Sequence, residues 1–382
     1  MKKGVCKKLQ FFVFISFLLA AVNVEFVKAD EITIYIRADG SIEGTDSIQR
    51  VGNVYMFVEN IEGLIVVEKD DIVIDGSGFT LQGSGYSEEK GIYLVFRNNV
   101  TVCNVEVTGY RECILLENTT NSKIIQNKLS TYIWEDGIRL DNSSNNLISN
   151  NNITSYAELP NSQPIGMYLH QSPKNTIYSN NITGAWISLL VGNGSNDNLV
   201  YGNNITLGQT AIDLVGESNQ IFENNIFGTV EAISSRVTAN YGVGILLSGA
   251  VSPDYNKIYR NNLFDNKIAV QIKTASHNVF YQNNFFDNEI QVNIQEEFVN
   301  TNNTWNYNNR GNYWDDYTGT DANGDGIGDT PYIINLDNQD NYPLMEPVII
   351  PEFPSWLIVP MFLIATLVVA AFKKRNHSLS AT

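Results

Sequence analysis

Apolar and polar residues alternate along this chain in short bursts, and the bursts recur. Each unit opens with a strand of the form G-I-x-L, passes through a turn and N-x-I, and closes on x-x-N-N-I. Successive openings fall at Ile92/Leu94, Ile114/Leu116, Ile138/Leu140, Met167/Leu169, Ile187/Leu189, Ile212/Leu214, Ile245/Leu247, Val270/Ile272 and Ile290/Val292. The spacing averages about 25 residues, a period that signals a solenoid. Within a unit the apolar period is two, which predicts strands rather than helices. One coil of three short strands cannot bury its inner face, but stacked coils bury it against each other. Parallel strands joined by turns wind right-handed. The pattern predicts an all-β right-handed parallel β-helix, with repeats over residues 66–298.

A pair of asparagines returns at fixed phase, as in "NTIYSNNIT" (175–183), "NLVYGNNIT" (198–206) and "NKIYRNNLF" (256–264). The first of each pair is Asn127, Asn151, Asn180, Asn203, Asn224, Asn261 or Asn283. Asparagine takes unusual backbone angles at tight turns. Turned inward, its amide can bond the same residue in the coils above and below, a ladder that satisfies itself. The second asparagine then faces out, leaving the acceptors Asn152, Asn181 and Asn204 reachable among the Asn-x-Ser/Thr sites. The step from Asn224 to Asn261 is long, so residues 233–244 are expected to loop out. Residues 30–65 read as a strand-rich N-terminal cap and 299–346 as a C-terminal cap, because an open β-helix end is an unpaired edge.

Both ends carry targeting features. Lys2, Lys3, Lys7 and Lys8 precede an apolar run, and Ala29 offers a cleavage site, so residues 1–29 read as a signal peptide. Residues 353–372 carry no charge and are followed by Lys373, Lys374 and Arg375. That is a transmembrane helix with residues 373–382 cytoplasmic, reached through a linker at 347–352. The chain is thus expected to be exported and held at the cell surface by one membrane pass. A net charge of −17 argues against nucleic acid, whose phosphates need clustered Lys and Arg. Cys103 and Cys113 either pair as a disulfide or remain buried thiols.

"GIRLDNSSNNLISNNNIT" (137–154) and its repeats resemble the NosD-type β-helix, also described as the CASH repeat, over roughly residues 65–345. "GNYWDDYTGTDANGDGIGDTPYIINLDNQDNYPL" (311–344) is similar to the C-terminal cap of archaeal surface members. "PEFPSW" (351–356) is similar to a PEF-type sorting signal read by an archaeosortase. The resemblance implies two functions, periplasmic copper handling and carbohydrate binding or cleavage. Copper wants thiolate, thioether or imidazole ligands. The exported part offers His170, His277, Cys103, Cys113, Met56, Met167 and Met345 in no tight cluster, so copper is not expected.

"DANGDGIGD" sets Asp321, Asn323 and Asp325 at alternate positions, with the Ile327 carbonyl and Asp329 beyond the Gly326 turn. This matches the first half of a calcium loop, and departs from it where Tyr332 stands in place of a bidentate Glu. Calcium is the expected cofactor, with Asp337 or Asp340 completing its shell; an Asx/Gly turn without metal is the alternative. The catalytic candidates are Asp136, Arg139, Asp141 and His170, with Tyr168 and Asp213 also facing outward. A carboxylate pair can act as acid and base on a glycosidic bond. A carboxylate, an Arg and calcium could instead support β-elimination from a uronic acid. Ser188, Leu246, Gln271 and Gln291 hold comparable positions further along and keep the acids from forming a long cleft. Trp305, Tyr307, Tyr313, Trp314 and Tyr317 read as cap core. The preferred reading is a surface structural or glycan-binding protein, and the alternative is a polysaccharide lyase or glycoside hydrolase.

Overall fold

The computed structural model describes residues 32–85, 90–131, 136–155, 163–229, 242–249, 252–295 and 302–350. The signal peptide, residues 233–241 of the expected excursion, the PEF motif, the apolar stretch 353–372 and the basic tail lie outside these residues, while Val243 and Gly244 do not loop out but open the strand Val243–Leu247. Among the described residues no helix is long and apolar enough to cross a membrane.

Successive coils lay one strand into each of three sheets, of twelve, eleven and eleven strands among the described residues. The repeat period enforces this. Ile138 pairs in register with Ile114 and Met167, Ile148 with Ile124 and Ile177, and Ile153 with Leu129 and Ile182. All nine side chains point inward and are fully buried, so apolar residues stack on apolar residues down the axis. A slip of one residue would turn a whole strand's apolar set to solvent, which holds the register. The architecture is an all-β, right-handed parallel β-helix.

The glycine of G-I-x-L has a steric cause. A Cβ on Gly166 would stand 2.5 Å from the Ser188 carbonyl oxygen and 2.6 Å from Ile182 Cγ2. The register also corrects two repeat openings. Leu189/Val191 and Val292/Ile294 continue the inward pairs, rather than Ile187/Leu189 and Ile290/Val292. Ser188 and Gln291 occupy the corner that glycine holds in other coils and are buried there, so neither faces outward. The motif therefore reads two residues early in those coils.

At the corner between the second and third sheets, Asn127, Asn151, Asn180, Asn203, Asn224, Asn261 and Asn283 are all buried. Each side-chain amide donates to the Oδ1 of the next coil's asparagine at 2.9–3.0 Å. The same Oδ1 accepts the backbone N–H of that donor residue, as for Asn180 and Asn203. The ladder runs on to Asn312 and ends on Asp340, which also accepts from Trp314 Nε1 at 3.0 Å. The left-handed backbone angle falls on the residue before the ladder asparagine, at Asn150, Ser179, Glu223 and Arg260, and not on the asparagine itself. That residue makes the turn, so the asparagine keeps ordinary angles while its amide points inward.

A second buried ladder, unforeseen in the sequence, lines the corner between the first and second sheets. The backbone N–H of Asn146, Asn175, Asn198, Asn219, Asn256 and Asn278 each donates to the Oδ1 of the next, ending at Asn303. The second asparagines of the pairs form an outer row, with Asn204 donating to Asn181 and Asn181 to Asn152.

Parallel pairing begins within the N-terminal segment, where Thr33–Ile36 lies beside Leu64–Val67. The antiparallel strands Ile42–Glu43 and Ile48–Val51 extend the sheets at that end. At the other end Trp305 and Trp314 stack beneath Phe280 and Phe285, with ring centres 4.4 and 4.3 Å apart. Tyr307 is exposed and packs against Tyr281 at the end of an outer aromatic row, so it is not cap core. The segment before residue 351 is docked rather than a free linker. Asn284 exchanges two hydrogen bonds of 2.8 Å with the Val348 backbone, and Arg260 donates to the Ile349 carbonyl.

Asn203→Ala should cost about 2–4 kcal/mol, because it strands buried donors and acceptors in two neighbouring coils. Asn181→Ala, in the outer row, should cost within about 0.5 kcal/mol. Urea unfolding midpoints of the two variants check this, and equal losses would contradict the account.

Candidate functional site

Consecutive coils bring acids to the outer face of the first sheet. In Glu112–Glu117 and Asp136–Asp141, Glu112 lies opposite Asp136 and Glu117 opposite Asp141. The next strand, Ile165–His170, sets Tyr168 opposite Arg139 and His170 opposite Asp141. Because side chains alternate along a strand, outward residues of adjacent coils stand in rows.

Arg139 is the centre of the patch. Its Nε lies 2.9 Å from Asp141 Oδ2 and its Nη1 lies 3.3 Å from Asp136 Oδ2. The guanidinium carbon stands 4.8 Å from the Tyr168 ring centre. His170 Nδ1 is 3.3 Å from Asp141 Oδ1. The structure thus brings all four catalytic candidates together. It adds three residues that the sequence pattern did not single out: Glu112, Glu117, and Tyr93, whose hydroxyl donates to Glu117 Oε2 at 2.8 Å. Aligning "ECILLE" (112–117) with "DGIRLD" (136–141) reveals the two acids.

Burial sets the electrostatics. It pushes Asp136 up to about 7, against the opposing pull of Arg139, and the neighbouring Glu112 adds to the rise. Burial also raises Glu112, whose Oε2 is buried without a hydrogen-bond partner. Burial works against the charge on Arg139, but its bonds and attraction to Asp141 and Asp136 outweigh it and the guanidinium is held above its usual value. Asp213 does not join the cluster. It lies between Leu190 and Leu246 and accepts from Ser248 Oγ at 3.0 Å, and burial pushes it up to about 6.

The 321–329 loop is closed by its own backbone. Asp321 accepts N–H bonds from Gly324, Asp325 and Gly326, Asp325 accepts from Ile327, and Asp329 accepts from Ala322. Asn323 accepts from Asp325 N–H at 2.9 Å. Among the described residues no three His, Cys, Asp or Glu side chains gather closely enough to hold a metal ion. Asp340, one of the acids considered for the calcium shell, is buried under the Asn312 ladder instead.

Copper does not fit the donors present. His170 and His277 pair with different acids, Asp141 and Asp254. Cys103 and Cys113 are buried and not joined in a disulfide, and burial pushes the Cys103 thiol up to about 12, away from its metal-binding thiolate form.

Because the folded chain favours protonated Asp136, folding takes up a proton between the unfolded value of 3.8 and the folded value of about 7. Stability therefore falls as pH rises through that window. Asp136→Asn should be more stable than the wild type by about 1–3 kcal/mol at pH 8, with the difference vanishing near pH 4. Chemical unfolding at the two pH values checks this, and a variant destabilised at pH 8 would contradict it.

Comparison with known proteins bears first on the fold. The chain is similar to a mutant of the periplasmic alginate epimerase AlgG at 12% identity, covering 69% of this chain and 72% of that one with a TM-score of 0.42. It is similar to the tailspike of E. coli bacteriophage HK620 at 11% identity, over 68% of this chain and 54% of that one, with a TM-score of 0.50. DFA-IIIase from Arthrobacter chlorophenolicus matches at 11% identity over 63% and 59%, with a TM-score of 0.47. No curated protein matches the chain significantly. The model of the family described as periplasmic copper-binding protein (NosD) matches residues 27–235 and 166–319. Those two matches span most of the chain, which therefore belongs to the NosD family of parallel β-helix proteins.

Proposed function

We propose that this protein binds carbohydrate on the outer face of its first sheet, with Arg139, Asp141, His170, Glu117, Tyr93 and Tyr168 forming the contact patch. One observation carries the reading: a single guanidinium grips two acids, and a histidine and two tyrosines frame them on an outward face. Carboxylates and imidazole suit sugar hydroxyls, and the apolar edges of tyrosine suit sugar C–H groups. The HK620 tailspike has been seen in complex with a pentasaccharide. The patch on this chain offers comparable chemistry from its own residues.

A second reading, hydrolysis, is favoured by the state of Asp136. With its value pushed up to about 7, Asp136 shares its population between protonated and ionised forms near neutral pH, while Asp141 is bound to Arg139 and His170. Both acids contact the same guanidinium, Asp141 at Nε and Asp136 at Nη1, and hydrolytic pairs stand roughly 5–9 Å apart. Asp136 would protonate the glycosidic oxygen as the C–O bond breaks. Water would add its hydroxyl to the sugar carbon and give its proton to Asp141. The proposal extends to placement. The signal sequence, the apolar 353–372 stretch and the PEF-type motif support export, single-pass display at a cell surface and archaeosortase processing in an archaeal setting. The oxygen donors of 321–329 support calcium there as a stiffener of the cap.

The test incubates the chain, purified and on intact cells, with a polysaccharide panel, with and without calcium. Retention should fall at least tenfold in Arg139→Ala and in Asp141→Asn. Released reducing ends lost in Asp136→Asn would add hydrolysis. Binding unchanged in all three variants would overturn the site. A calcium-dependent rise in melting temperature, absent in Asp321→Asn, supports the cap loop, and no rise leaves it an Asx/Gly turn.

A further inference from the structure

The charged groups of the patch are arranged asymmetrically. Its central cation, Arg139, is already engaged, and Arg111 and Lys90 stand at the edge beside Glu112 and Tyr93. Arg139 spends its Nε and both Nη groups on Asp141 and Asp136, and its plane faces Tyr168. Arg111 Nε stands 3.7 Å from Glu112 Oε1, and the Lys90 ammonium lies 5.9 Å from the Tyr93 ring centre. The acceptors are not all used. Glu112 Oε2 has no partner, Glu117 accepts one bond from Tyr93, and the Asp141 side chain keeps 22% of its surface exposed. A ligand approaching beside Arg139 meets the Glu117 and Asp141 carboxylate oxygens, a tyrosine hydroxyl and imidazole, while the cation between the acids is committed within the protein.

We infer that the site takes saccharide rings bearing hydroxyl or amino groups and rejects rings bearing carboxylate or sulfate; this rests on the carbohydrate reading above. A ligand hydroxyl or ammonium donates to Glu117 and Asp141, where charge-assisted bonds are strongest. A uronate carboxylate would stand against two acids, and like charges brought together out of water are costly. Freeing Arg139 to meet it would strand Asp136 and Asp141 without their partner. The consequence reaches the chemistry. β-Elimination and C5 epimerisation act on a uronic acid and need its carboxylate neutralised, so any cleavage at this patch is hydrolysis.

The experiment compares matched pairs of polymers on the full-length chain: polygalacturonate against its fully methyl-esterified form, alginate against its esterified form, and chitosan as the amino-bearing probe. The inference expects each esterified polymer, or chitosan, to bind at least tenfold more tightly than the acidic polymers. It expects Glu117→Gln to narrow that gap by severalfold. Glu117 is held only by Tyr93, so this change leaves the Arg139 contacts in place, whereas Asp141→Asn could disturb them. Acidic polymers bound as tightly as their esters would overturn the selectivity and leave the carbohydrate reading standing. Failure of every polymer to bind would overturn the carbohydrate reading itself.

Discussion

A buried asparagine amide in this fold is satisfied by the same residue one coil away, and the rest of the molecule is built on that dependence. The Oδ1 of Asn203 accepts both the backbone N–H and the side-chain amide of Asn180, and its own amide passes the arrangement on to Asn224. An unpaired amide inside a protein costs more than a made bond returns, so the ladder tolerates few gaps. Asn224 and Asn261 are 37 residues apart, yet they bond at 3.0 Å like their neighbours.

Constancy on the inside leaves freedom outside. The register that stacks Ile138 under Ile114 also stacks Asp141 beside Glu117 and Arg139 beside Tyr168. Outward residues of neighbouring coils thus become fixed neighbours without contributing to the core. A functional patch needs only a few changes on adjacent repeats. Burial raises both Glu112 and Asp136, and Arg139 keeps its charge beside them. Asp136 draws its tolerance chiefly from that guanidinium, whereas Lys90 and Arg111 ease Glu112 before Arg139 does.

The inward half of the molecule was legible because core packing repeats at every coil. Alternating Ile and Leu, and the first asparagine of each pair, carry a period that any stacking must respect. The second ladder, Asn146 to Asn303, was missed because the asparagine of N-x-I was given no role beyond following the turn, although it recurs as regularly as the others. The two misplaced openings have a similar origin: Ser188 and Gln291 replace glycine, and the motif then finds its apolar pair two residues early. The outward patch was half legible. Asp136, Arg139, Asp141 and His170 stand out as chemistry-bearing residues, but Glu112, Glu117 and Tyr93 become visible only when coils are aligned. Their proximity depends on neighbouring strands rather than on neighbouring residues.

On the proposed reading a glycan rests on the Arg139 patch and not elsewhere on the solenoid. Carbodiimide labelling of carboxylates, read by mass spectrometry with and without a saturating oligosaccharide, tests it most directly. The account predicts that Glu117 and Asp141 lose reactivity, while Asp265, Asp287 and Glu289, which line an open groove near the far end of the same sheet, keep theirs. Protection of that groove with Glu117 and Asp141 still reactive would contradict it.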